Sequence, residues 1–228
     1  MLDGAPIIVV ATGLGKASRN AKTGGIVQTW IIREDMNPVD AVKSGDDASI
    51  CGDCPHRGTS CYVTVFQAPL SVWKSYHRGI YATLSPAEAR EALAGRVVRL
   101  GAYGDPAAVP VAVWQEALGA AEAVTGYTHQ WRRFPALQAW CMASCDSVAD
   151  FVAAKAGGWR TFRVRGAGEA LQGKREIACP ASVEMGAKTS CALCKACGGN
   201  SSKARVDIAI IAHGAASKVA AFNARIAA

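Results

Sequence analysis

The sequence predicts an α/β protein in which parallel βαβ units form a partial or complete (β/α) barrel-like fold carrying two cysteine-rich metal-binding loops. Three observations carry that reading. Segments with strand and helix grammar alternate at intervals of roughly 20–30 residues, the pattern of parallel strands joined by helical crossovers. Strand after strand runs into polar or ionisable residues. Seven of the nine cysteines fall into two short groups. No Gly-x-Gly-x-x-Gly follows the first strand, which turns the choice from a doubly wound sheet toward a partial barrel.

Residues 7–11 read as the first strand, and residues 26–32, β-branched and aromatic, as the second. Between them the stretch from Thr12 to Gly25 is basic and glycine-rich, with many backbone N–H groups that suit an anion. It is not a P-loop, because Val10 and Ala17 stand where that motif needs Gly and a hydroxyl. A mobile loop is the plainer reading. Asn37-Pro38 opens a short helix over residues 39–43. The run 62–66 (Tyr-Val-Thr-Val-Phe) reads as a strand or as the opening of a helix, and the segment from Pro69 places Val72, Trp73 and Tyr76 at helical spacing. Ser85-Pro86-Ala87-Glu88 is a capping box with Pro at the first helical position, and its helix ends at Gly95. Then come a strand at 96–103, a helix at 110–122, a strand at 123–127, a helical turn near 134–140 and a strand at 141–144. Ser147 caps a helix to Lys155; strands at 159–164 and 206–211 and a closing helix at 215–226 complete the chain.

These segments are expected to form one domain. Residues 1–50 supply N-terminal strands and loops, 51–84 the first cysteine segment, 85–178 the βα units, 179–203 the second cysteine loop and 204–228 a closing strand and helix. At 228 residues, half of them hydrophobic and 19% charged, the chain is long enough for a real core and too apolar to be disordered. Its apolar runs fall far short of a membrane span, and no basic segment precedes a long apolar stretch at the start. The odd cysteine count then fits a reducing compartment, the cytoplasm, better than a disulfide framework. The formal charge of +7 suits a polyanionic partner, nucleic acid or a phosphorylated small molecule, or simply a basic surface.

The second cysteine group is Cys179-Pro180 followed by Cys191-Ala-Leu-Cys194-Lys-Ala-Cys197-Gly-Gly. Its overlapping Cys-x-x-Cys steps suit a four-iron cubane, in which each sulfur binds a different iron. Zinc is the alternative, although structural zinc normally takes two separate knuckles. The first group, Cys51-Gly-Asp-Cys54-Pro-His56-Arg-Gly-Thr-Ser-Cys61-Tyr62, offers three sulfurs. They suit a cluster with one iron open to a small molecule or, with His56, a Cys₃His zinc site. Cys141 and Cys145 sit in an apolar strand and read as core.

In βα folds the C-terminal edge of the strands is where sites form. Here that edge predicts Asp105, His129, Asp146 and Arg163 lining a cavity, Asp105 and His129 as proton-handling groups and Arg163 as an anion anchor. Asp105 before Pro106 and Asp146 before Ser147 also fit as caps.

Taken together, Asn20-Ala-Lys22-Thr23-Gly24, Cys61-Tyr62, Gly104-Asp105, Gly126-Tyr127-Thr128 and the late cysteine loop give the chain its likeness. It resembles the gene-product-88-like proteins of phages and prophages, which in turn look related to radical S-adenosylmethionine barrels. That resemblance implies a partial (β/α) barrel, a 4Fe-4S cluster on Cys51, Cys54 and Cys61, an auxiliary cluster on Cys179, Cys191, Cys194 and Cys197, and S-adenosylmethionine as a ligand. Asn20, Lys22, Thr23 and Tyr62, which help carry it, are the expected cofactor contacts. The spacing here is Cys-x₂-Cys-x₆-Cys, where the radical group has Cys-x₃-Cys-x₂-Cys. The expectation is therefore an iron–sulfur protein of phage type, with a zinc-stapled nucleic-acid-binding or accessory protein as the alternative.

Overall fold

The computed structural model describes residues 2–16 and 23–227. It is a mixed α/β architecture built from parallel strands. Strand β1 (Ile7–Thr12) pairs antiparallel with β2 (Val27–Arg33), and β2 continues in parallel with β3 (Val97–Tyr103) and β4 (Ala123–Thr125). The second sheet is all parallel in the order β5 (Tyr127–Thr128), β6 (Met142–Cys145), β7 (Thr161–Arg165), β9 (Asp207–Ile211), β8 (Glu176–Ala178). Gly126 alone separates β4 from β5. One extended segment thus leaves the first sheet and enters the second.

Gly126 makes that passage feasible. A Cβ there would come within 2.8 Å of the Cys141 sulfur, so no side chain fits without displacing the core.

The helices are α1 (Pro38–Ser44), α2 (Ala48–Cys51), α3 (Ala68–His77), α4 (Pro86–Leu93), α5 (Val111–Ala117), α6 (Val148–Ala156), α7 (Cys191–Cys194) and α8 (Ala216–Ala227). The Ser85 box forms as expected: Ser85 Oγ accepts from the Glu88 N–H while Glu88 accepts from the Ser85 N–H. Asn37 caps α1 and Ser147 caps α6 through side-chain oxygens that accept from first-turn N–H groups, without the reciprocal bond. Among the described residues no helix is long and apolar enough to cross a membrane.

One apolar core lies against the first sheet around Val27, Ile31, Val98, Leu100 and Trp114. A smaller one gathers Met142, Ile208 and Ile210 with Cys179 and Ala196. Cys141 and Cys145 are fully buried.

Two expectations need correcting. Residues 62–66 form no strand; they run as an irregular segment into α3, because no neighbouring strand offers them a ladder. Residues 118–122, expected in a helix, lie beyond the end of α5 at Ala117. The first two strands, joined by the glycine-rich segment, form an antiparallel pair.

Candidate functional site

The parallel strands end at a common side, and there a cavity of about 440 Å³ opens. All seven cysteines of the two groups line it. So do Asp105, His129, Ser144 and His213, which follow or close strands β3, β5, β6 and β9. None of the nine cysteines is in a disulfide.

The first cysteine loop leaves α2 at Cys51 and is held from within by Arg57. That guanidinium donates to Asp47 Oδ1 (2.7 Å) and to the carbonyls of Gly52 (2.9 Å) and Gly45. From the other side the Gln130 amide donates to Asp53 Oδ1 (2.6 Å) and to the Cys51 carbonyl (3.3 Å). These bonds tie the loop to residues on both of its flanks.

Behind the loop two imidazoles share one carboxylate. His56 Nε2 lies 2.8 Å from Asp146 Oδ1 and His129 Nε2 lies 3.2 Å from Asp146 Oδ2. The Cys54 thiol lies near enough to His129 to influence its charge. Phe222 of α8 stacks on His56 at 5.9 Å, and Arg225 of the same helix stands 3.8 Å from Asp146. Burial opposes charge on both partners here, yet the hydrogen bonds win. Asp146 is held well below the usual carboxylate range by His129 and His56, and His129 is held well above the usual imidazole range by Asp146 and Cys54. His56, His129 and Asp146 are also the one group of three or more potential ligands, among the described residues, whose donor atoms all lie within 4.8 Å.

The second cysteine loop is the crossover from β8 to β9. Cys179 follows β8 directly; Ser190 caps α7, accepting from the Leu193 N–H, and α7 presents Cys191 and Cys194. Arg160 pins the return, donating to the carbonyls of Ala196 (2.8 Å), Gly199 (2.8 Å) and Val206 (3.2 Å from Nε). The Gly126 N–H donates to the Cys197 carbonyl (3.1 Å), so the loop is tied to the junction of the two sheets. Gly199 has a φ of 55°, and a Cβ there would come within 2.7 Å of the Cys141 nitrogen. That close approach explains the Gly-Gly after Cys197.

The thiols are not poised to ionise alone. Burial pushes Cys51 well above the ordinary value and raises Cys61, with charge on Cys54 acting in the same direction. Cys197 is pushed up to about 12, first by burial; the Tyr127 hydroxyl pulls it down, and charge on Cys179, Cys191 and Cys194 pushes it further up. Within each group the ionisation of one sulfur thus opposes that of the next.

Of the residues expected at the site, Asp105, His129, Thr23 and Tyr62 line the cavity. Asp105 is buried and accepts from the Ala107 N–H (2.9 Å), Thr128 Oγ1 (2.7 Å) and the His129 N–H (2.8 Å). Burial still raises its pKa against those donors. Both oxygens are committed, and the carboxylate positions His129. Asp146 stands one step behind the wall, reaching the cavity through the two histidines. Arg163 is the correction: it is fully buried, and Nε and Nη2 pair with both Glu176 oxygens at 2.9 and 2.8 Å. An arginine so saturated has no donors to offer a ligand. Asn20 and Lys22 lie outside the described residues.

Sequence reasoning passed over Arg99, Lys218 and Tyr127, which line the cavity, and Arg57 and Arg160, which hold the loops. Arg99 did leave a signal, as a cation in the middle of an apolar strand. Lys218 left none, because its helix looks like any amphipathic end.

Set against known proteins, the chain matches no family model, no curated protein and no solved structure.

Proposed function

We propose that this is a metal-cluster protein, of iron–sulfur type, whose cavity admits a small molecule to one cluster. Cys179, Cys191, Cys194 and Cys197 would hold the auxiliary cluster; Cys51, Cys54 and Cys61 would hold the second and leave one iron without a protein ligand. The observation that carries the reading is that all seven cysteines of the two groups line one cavity. The donor set fits the group. Cys51, Cys61 and Cys197 are pushed up by burial and by their neighbours' charge, a conflict that a bound cation would relieve. No set of three sulfurs among them lies within 4.8 Å. Four sulfurs on one zinc at 2.3 Å would sit only about 3.8 Å apart, whereas a cubane spreads them over separate irons.

When bound, such a cluster supplies an electron and an open coordination position. The protein's own part is the rest. His129, set by Asp105 and charged through Asp146, can hold or release a proton beside Cys54. Phe222 and Val219 of α8 cover the cavity from one side and restrict water. Partial-barrel curvature, phage origin and use of S-adenosylmethionine belong to this proposal through the resemblance of the motifs.

A second reading keeps a specific observation in its favour. The compact His56–His129–Asp146 group suits a single N/O-ligated ion such as zinc, which would make the chain a zinc-stapled accessory or nucleic-acid-binding module. Anaerobic purification followed by iron, zinc and acid-labile sulfide analysis separates the two. Iron with matching sulfide, halved in the Cys51→Ser/Cys54→Ser/Cys61→Ser variant, is expected. Zinc without sulfide, lost on His129→Ala and retained in the cysteine variant, would replace the proposal with the module.

A further inference from the structure

Arg99 sits on β3 with its guanidinium in the cavity wall. Its hydrogen bond goes to the Tyr62 hydroxyl at 2.6 Å. Among the described residues no carboxylate comes within ion-pair distance of it, unlike Arg57, Arg163 and Arg165; Arg160 lacks one as well but gives its donors to three backbone carbonyls, whereas the hydrogen bond of Arg99 goes to a phenol. Arg99 is half-buried, and a cation in a largely apolar cavity wall with no paired anion favours an incoming counter-charge. The phenol of Tyr62 orients the guanidinium.

The rest of the wall repeats the bias. Lys218 lines the cavity, donates to the Val63 carbonyl at 2.8 Å and has no carboxylate partner among the described residues. His129 also faces it. The one carboxylate on the wall among the described residues, Asp105, has both oxygens occupied by donors. Lys195 is neutralised by Glu122. The same cavity is also lined by the apolar side chains of Phe162, Val164, Ile208, Ile210 and Phe222. The volume of about 440 Å³ is that of a small-molecule site.

We infer that the cavity binds a small organic anion, a carboxylate or a phosphate monoester, whose acid group is held by Arg99 with Lys218 and whose body lies on Phe162 and Ile208. This rests on the reading above only in sharing its cavity, since it requires no particular metal.

The test uses the anaerobically purified full chain and isothermal titration with hexanoate, hexyl phosphate and the neutral hexanol. At least one anion should bind roughly ten-fold or more tightly than hexanol, the range of one charge-assisted pair, and the stronger of the two assigns the head group. Arg99→Gln should bring that anion to the hexanol level, with Arg99→Lys recovering part of the difference. Tyr62→Phe, a change at a half-exposed side chain, should weaken it by a smaller factor. The wild-type comparison stands even if Arg99→Gln fails to fold. Equal affinity for anion and alcohol, or no binding of either, overturns the inference. Unchanged anion affinity in Arg99→Gln with reduced iron would make Arg99 the counter-ion of the second cysteine group and overturn it too. Iron and sulfide are measured on the same samples, so loss of the cluster reading and loss of the anion site are seen separately.

Discussion

The two cysteine loops are built by the same device and equipped for different work. Each is held by one arginine that gathers backbone carbonyls: Arg57 takes those of Gly45 and Gly52, and Arg160 takes those of Ala196, Gly199 and Val206. Arg57, however, is a quarter exposed and shares its charge with Asp47. Arg160 is buried and has carbonyls alone, at the seam where the two sheets meet. The first loop has three sulfurs and two histidines on a carboxylate; the second has four sulfurs, a tyrosine and two glycines. A full set of thiols in a tight seam makes a closed structural centre. An incomplete set beside a proton-handling pair makes a centre with room for something else.

If that contrast is right, the largest loss of stability follows Arg160→Met. Three carbonyls lose a charged donor in a packed seam, which costs about 3–5 kcal/mol, and urea midpoints measure it. Arg57→Met should cost about 2 kcal/mol, since water reaches the freed groups. A larger loss at Arg57 than at Arg160 would break the comparison.

Cysteine substitutions sharpen it. Cys197→Ser should lower the thermal midpoint together with the metal content, while Cys54→Ser should remove metal with a stability change of about 1 kcal/mol or less. Equal thermal losses would mean that the first loop is structural too.

Asp146 supplies a pH signature found only at the first loop. Its pKa is depressed in the folded protein, so the unfolded chain takes up the proton more readily. The stabilisation is complete above about pH 4 and is lost as pH falls through the acid range. Asp146→Asn should therefore cost about 2 kcal/mol near pH 6, and the gap to the wild type should close toward pH 2. A gap that stays constant across urea titrations in that range would deny the shared-carboxylate account.

The smallest effect is expected far from both loops. Ser85→Ala removes the cap of α4 and should cost about 1 kcal/mol, with iron content unchanged.

Much of this architecture is legible in the sequence because it is local. The Ser85 box, the closing helix and the alternation of strand and helix depend on residues a few positions apart, and they appear within a few residues of where the pattern places them. The strand ends that carry Asp105 and His129 to a common side are legible for the same reason. What is not legible depends on distant partners. Arg163 looks like any charge near a strand end until β8 places Glu176 beside it, across the intervening β9. The run 62–66 has strand composition, but its neighbours supply no ladder; Lys218, from the far end of the chain, takes the Val63 carbonyl instead. Arg99 gains meaning only once Tyr62 and the two cysteine loops surround it.

The most direct measurement is an anomalous-diffraction map of crystals grown anaerobically, recorded on both sides of the iron and zinc edges. The account predicts iron signal at two places in the cavity, one within reach of Cys51, Cys54 and Cys61 and one within reach of Cys179, Cys191, Cys194 and Cys197. A single zinc signal at His56, His129 and Asp146, with no iron near either set of sulfurs, would contradict it.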